Sequence, residues 1–351
     1  MSRKLLSYTA LGLILGNAAI ADVPKVAVDI APVHSLVSRV MEGVGSPKLI
    51  IPAGASPHEY SLRPSEAKSL QDADMVIWMG EDLAPWMENS IEKLAKNAEV
   101  ITLLEASETK LLDFREGALF EEHDHGDHDD HDDHDDHDKD HDDHDDHDKD
   151  HDDHDDHDDH DKDHDDHDDH DDHDDHAGHD HGEHDPHAWL SIENAQTWLN
   201  LVAGKLSAAD PENAGVYFGN AAAARSEIEE LSKEVNSILD PVRGRSFVVF
   251  HDAYQYFETS FDFPASGAIS LGDATDPSAS RIAEIQGRVR EEGINCVLSE
   301  PQYNPNLVET VLEGTDAKTG VIDPLGVNLE PGSKLYGDLI RNMAKSLAGC
   351  L

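Results

Sequence analysis

VAVDIAPVHSLVSRVMEGVGSPKLII, residues 26–51, carries two apolar runs, Val26 to Ile30 and Lys48 to Ile51. Between them, from Ser35 to Glu42, the apolar residues recur at helical spacing. Short runs without polar alternation are the mark of strands buried on both faces, and a helix between two of them is the crossover that parallel strands need. The same alternation continues. Met75 to Met79 and Val100 to Leu104 read as strands, with helices at Pro64 to Gln71 and Leu83 to Asn97. A second set follows, with strands at Phe247 to Phe250, Ala265 to Ile269, Cys296 to Ser299 and Gly320 to Ile322. Its helices are Ser280 to Glu292, Asn306 to Glu313 and Lys334 to Leu347. The fold class predicted is therefore α/β, with two parallel-sheet lobes covered by helices.

Between the two sets, Pro211 to Leu239 has no internal proline, and Leu231, Val235, Ile238 and Leu239 fall at helical spacing. Asp210 before Pro211 is a helix start and Pro241 a stop. At about 1.5 Å per residue this linking helix is a rod of roughly 40 Å, which resists a wide hinge. The boundaries predicted are an N-terminal lobe at 22–210, the linking helix at 211–239 and a C-terminal lobe at 240–351.

Residues 123–184 interrupt the first lobe with recurring Asp-Asp-His triplets and almost no apolar residue. A chain of that composition has nothing to bury, so a disordered, solvated loop is expected. As a neutral coil of its length its ends would average roughly 45 Å apart, and like charge expands it further. From His123 to Pro186 there are 34 Asp, one Glu and three Lys, so this part carries −32 of the formal −50 and leaves −18 elsewhere. An acidic surface of that size repels phosphates, which excludes nucleic acid and anionic lipid and favours cations.

The first residues show a basic start (Arg3, Lys4), an apolar stretch from Leu5 to Leu15 and the small-residue sequence Ala19-Ile20-Ala21. This is the layout of a signal peptide at 1–21, too short to span a bilayer, with the mature chain starting at Asp22. No cysteine lies near the cleavage point to carry a lipid anchor, and no later run suggests a membrane helix. The expectation is a free, exported protein that is not inserted in a membrane. Cys296 and Cys350 are the only cysteines. In an oxidising compartment an even pair reads as one disulfide, with two thiolate metal ligands as the alternative.

The segment 123–184 holds 21 of the 25 histidines. Neutral imidazole suits zinc, copper and nickel, whereas carboxylates alone favour calcium, magnesium or manganese. A low-complexity expansion without a role is the bland reading of the segment. Of the four histidines outside it, His58 lies in a turn-rich loop after the Lys48 to Ile51 strand. His187 lies where the insert meets ordered chain, and His251 follows the Phe247 to Phe250 strand. These are strand ends and loop edges of open α/β units, where ligands bind. His34, after the first strand and before a helix, reads as a capping or packing residue. Asp323, ending a strand in Ile322-Asp323-Pro324-Leu325-Gly326, is the carboxylate candidate for a fourth ligand; its other role is to fix the following turn.

The stretches GASPHEYSLRP at 54–64, DPHAWL at 185–190, FHDAY at 250–254 and DPLG at 323–326 resemble the metal-binding solute receptors of ABC importers. The histidine-rich insert before the second motif and the terminal cysteine with its partner near 296 point to the zinc branch, the ZnuA-like receptors. The resemblance covers nearly all of the mature chain. It implies a periplasmic, monomeric receptor that binds a zinc ion, as transported ligand, in a cleft between two lobes. His58, His187 and His251 match the family's three histidines, and a membrane permease is the partner. Related manganese receptors use a carboxylate at the position of Asp323. Some zinc relatives carry a Glu directly before the first histidine, where this chain has Pro57, with Glu59 after it. A manganese or iron receptor of the same type and a periplasmic zinc buffer are the rival readings. A zinc hydrolase with Glu59 as base is a further one, although no H-E-x-x-H spacing supports it.

Overall fold

The structure is a computed structural model that describes residues 23–115, 120, 184–270, 277–303 and 305–351. The signal segment expected at 1–21 lies outside these residues, as does the insert expected at 123–184 apart from His184. The first set of elements is β1 (Val26–Val28), α1 (Ala31–Val40), β2 (Lys48–Leu49), α2 (Pro64–Gln71), β3 (Met75–Trp78), α3 (Pro85–Leu94) and β4 (Glu99–Thr102). Two helices follow, α4 (Ile192–Ala209) and α5 (Ala214–Leu239). The second set is β5 (Phe247–His251), α6 (Gln255–Phe261), β6 (Ala268–Ser270), α7 (Ala279–Glu291), β7 (Cys296–Ser299), α8 (Pro305–Leu312), β8 (Lys318–Val321) and α9 (Leu335–Cys350).

Each set forms a four-stranded parallel sheet, in the orders β2-β1-β3-β4 and β6-β5-β7-β8. Both sheets therefore place their strands in one sequence of positions, second, first, third, fourth. Val26 lies opposite Met75 in the first sheet and Phe247 opposite Cys296 in the second. In β5, Phe247 and Val249 join the large core shared with α4, α5 and α9, while Val248 and Phe250 join a smaller core under α7 and α8. Alternate residues of a strand face opposite sides, so a wholly apolar β5 is what a sheet covered twice requires.

Proline sets several helix starts, at Pro32, Pro64 and Pro85, because its fixed φ suits the first turn and its missing N–H is not needed there. Pro32 also begins α1 earlier than the apolar spacing suggests, so His34 lies inside α1 rather than ahead of it. It is buried, with Nε2 3.3 Å from Pro47 O, and burial holds its pKa below the usual histidine value. Helices α4 and α6 were not expected from the sequence. The linking helix starts later than Pro211, which opens a single 3-10 turn at Pro211–Asn213 before α5. Tyr217, Ala221, Ala224, Ile228, Leu231, Val235 and Leu239 form its buried stripe.

Cys296 on β7 is bonded to Cys350 at the end of α9, with the Cα atoms 5.8 Å apart. Neither thiol is free to ligate a metal. Gly320 of β8 makes this seat fit, since a Cβ there would stand 3.1 Å from the Cys350 Cβ. Among the described residues no helix is long and apolar enough to cross a membrane.

Candidate metal centre

Three separate pieces of chain bring His58, His187 and His251 together. His58 sits in the loop after β2, His187 immediately before a 3-10 turn at Ala188–Leu190, and His251 at the end of β5. One nitrogen from each lies within 4.8 Å of the others. The His187 ring centroid is 5.6 Å from that of His58 and 5.3 Å from that of His251. His187 and His251 are buried and His58 is half-buried. Together with Trp189, Glu300, Gln302, Tyr303 and Leu325 they line a cavity of about 20 Å³, room for one body the size of a water molecule.

Two of the histidines rest on carboxylates. Nδ1 of His187 is 2.7 Å from Asp185 Oδ1, which also accepts the His187 backbone N–H at 2.9 Å. Nδ1 of His251 is 2.6 Å from Oε1 of Glu300, itself 3% exposed. A carboxylate at Nδ1 makes that nitrogen the proton carrier and leaves Nε2 its lone pair, the tautomer a metal ligand needs. Burial and the neighbouring Glu300 push the Tyr254 hydroxyl well above the usual phenol range.

The supports of these groups are local and specific. Trp86 Nε1 donates to Pro57 O at 2.8 Å, holding the turn before His58. Tyr60 OH donates to Glu66 at 2.9 Å, and Glu66 accepts Arg63 N–H at 2.7 Å at the start of α2. Trp189 Nε1 donates to Pro324 O at 2.9 Å, tying the His187 turn to the loop after β8. Tyr256 OH donates to Asp185 O at 2.9 Å and accepts Leu112 N–H at 3.0 Å. Tyr303 stacks on Phe250 with centroids 4.6 Å apart and stands 5.3 Å from the His251 ring.

Next to His251, Asp252 is buried and is paired with Arg115, which also donates to Glu258 at 2.7 Å. Burial outweighs that guanidinium and pushes the Asp252 carboxyl up to about 6. The root of the insert is pinned beside it: Asp113 and His184 form an antiparallel bridge, and Asp185 N–H donates to Leu112 O at 2.8 Å.

Asp323, the carboxylate expected at the fourth position, is not gathered with the histidines. Its Oδ1 accepts the N–H groups of Leu325 and Gly326 at 3.1 and 2.9 Å, and its Oδ2 that of Val327 at 2.7 Å. It fixes the turn after Pro324 instead. Sequence reasoning did not single out Glu300, Asp185 or Gln302. The available signal for Glu300 was its place directly after an apolar strand, the same setting that drew attention to His251.

A larger groove of about 440 Å³ runs along α1, α5 and α9. Its Arg39 and Arg341 are engaged by Glu227 and Asp338, and it contains no grouping of metal ligands.

Residues 26–350 match the family model described as ZnuA, zinc-uptake complex component A, periplasmic. The high-affinity zinc uptake system protein ZnuA of Paracoccus denitrificans (strain Pd 1222) is 46% identical over 349 residues, 98% of each chain. A crystal structure of ZnuA aligns with a TM-score of 0.67 at 18% identity, over 94% of this chain and 99% of that one. The solute-binding protein FpvC of Pseudomonas aeruginosa, solved in complex with Mn2+, aligns with a TM-score of 0.67 at 17% identity, over 93% and 98%.

Proposed function

The chain belongs to the family of periplasmic zinc-uptake component A proteins, and from that premise we propose that it captures one zinc ion between His58, His187 and His251 for a membrane ABC importer. The observation that carries the reading is the convergence of three imidazole nitrogens within 4.8 Å, two of them on histidines oriented by buried carboxylates. Structural relatives include a manganese-bound protein, so the fold leaves the metal open and the donor set decides it. A group of imidazoles without a carboxylate ligand favours a borderline ion over a hard one.

The zinc here is cargo. Glu59, the base a hydrolase would need, is exposed and does not line the cavity. Export by the segment at 1–21, action in the periplasm as a monomer, and docking to the permease complete the proposal. The lobes at 22–210 and 240–351, with the helix at 211–239 between them, are the bodies that hold the ion.

Competition with a chelator of known affinity tests the site. The full chain and a variant lacking residues 123–184 should each hold one tightly bound zinc. His187→Ala should lower that affinity more than the 10–100-fold typical of losing an outer partner. A tight site that survives His187→Ala, or disappears with the insert, overturns the assignment.

A further inference from the structure

Three histidines leave one side of a tetrahedral zinc site to be filled. Of the carboxylates around it, Asp185 is taken by Nδ1 of His187, Glu300 by Nδ1 of His251 and Asp323 by three backbone N–H groups. Gln302 lies two residues beyond Glu300 and lines the same cavity. Its Nε2 faces Asp323 Oδ1 at 3.4 Å, and its Oε1 is buried without a hydrogen-bond partner. The orientation of the amide is fixed by chemistry: reversing it would set two oxygens against each other at Asp323. A buried carbonyl left unsatisfied costs about 1–3 kcal/mol unless something else compensates it.

We infer that the amide oxygen of Gln302 is the fourth zinc ligand, aimed by Asp323. This deepens the reading of the three-histidine site and rests on it. The cavity of about 20 Å³ is small enough that an ion placed there would take up most of it. Asp323, clamped by its own loop, holds the nitrogen end of the amide and turns the oxygen end to the ion. With Gln302 as the fourth ligand all four tetrahedral positions are taken by protein atoms, which is the arrangement of a site that holds zinc; a hydrolytic site keeps one position open.

The test uses the full chain loaded with less than one equivalent of cobalt, so that the tightest site fills first, together with chelator competition for zinc. Gln302→Met keeps the length of the side chain and removes the amide. Zinc affinity should fall by at least the 10–100-fold that loss of an outer partner causes, and the cobalt visible spectrum, indifferent to added thiocyanate in the parent chain, should become sensitive to it. The metal-free variant should melt at the same temperature as the parent or higher, because it no longer buries an unsatisfied oxygen. A purely structural role moves that melting temperature the other way. Gln302→Glu retains an oxygen, pushed toward the ion by Asp323, and should keep the closed spectrum. Thiocyanate sensitivity in the parent or in Gln302→Glu, or unchanged zinc affinity in Gln302→Met, overturns the assignment of Gln302 alone. His251→Ala is the control: if it keeps the parent spectrum, the three-histidine reading fails and the fourth ligand falls with it.

Discussion

The two sheets share one strand order yet are secured differently at matching places. Counting from the paired residues, Met79 stands four beyond Met75 and Glu300 four beyond Cys296. In the first sheet the Met79 N–H donates to Asp29 Oδ2 at 2.7 Å, so a buried carboxylate ties the end of β1 to the end of β3. In the second sheet the carboxylate belongs to Glu300, at the end of β7, and it holds the His251 ring at the end of β5. The same cross-tie fastens backbone in one lobe and orients a histidine of the candidate site in the other. The first lobe stays closed by a titratable group, and the second has a covalent bond, Cys296 to Cys350, beneath its site. Equivalent topology therefore does not imply equivalent sensitivity.

Arg115 offers the largest way to break the comparison, since it comes from the chain after β4 and neutralises Asp252 and Glu258 of the second lobe. Arg115→Met leaves two buried carboxylates without their cation. A destabilisation of about 3–5 kcal/mol is expected, read from denaturant unfolding of the metal-free protein. Reduction of the disulfide should cost about 4 kcal/mol in the chain-entropy account. Its loss of amide protection should be concentrated in β7, β8 and α9, with β1 and β3 unaffected. Uniform loss of protection would show that the lobes are not separately fastened.

Asp29 gives the pH counterpart. Burial pushes its carboxyl up to about 7 from 3.8, so the folded chain holds a proton there that the unfolded chain has released. The stability from this group is complete below about pH 4 and is lost as pH rises through 7. Between pH 5 and 8 the parent should lose about 2–3 kcal/mol relative to Asp29→Asn. A gap between the two proteins that does not change with pH would refute the tie as drawn. The smallest effect is expected at the ligand supports. Asp185→Asn and Glu300→Gln keep the shape but lower imidazole basicity, and each should weaken zinc binding about tenfold with little change in melting temperature.

Much of the fold was legible because parallel strands buried on both faces are uninterrupted apolar runs, as in MVIW of β3 and FVVF of β5. Helix α6, QYFETSF, was not: at seven residues it is too short for a period to emerge, and its buried face includes Glu258, whose partner Arg115 is 143 residues away. Helix α4 carried a start signal that went unread, since Ser191 Oγ accepts Asn194 N–H at 3.1 Å. The three histidines were legible through the short motifs around them. Glu300 and Gln302 were not, because a carboxylate 49 residues from its histidine, and an amide and the Asp323 it faces, meet only through tertiary contact.

The stripe along α5 bears on how a bound ion would exchange. A rod of about 40 Å, gripped from Tyr217 to Leu239, stiffens the connection between the two sheets against swinging apart as rigid bodies. The slow collective rotations that open many receptors occupy microseconds to milliseconds, whereas loops rearrange in nanoseconds to microseconds. With that route stiffened, exchange of a bound ion is expected to depend on the attachment least enclosed by protein. Of the three histidines that is His58, which is half-buried, while His187 and His251 are buried.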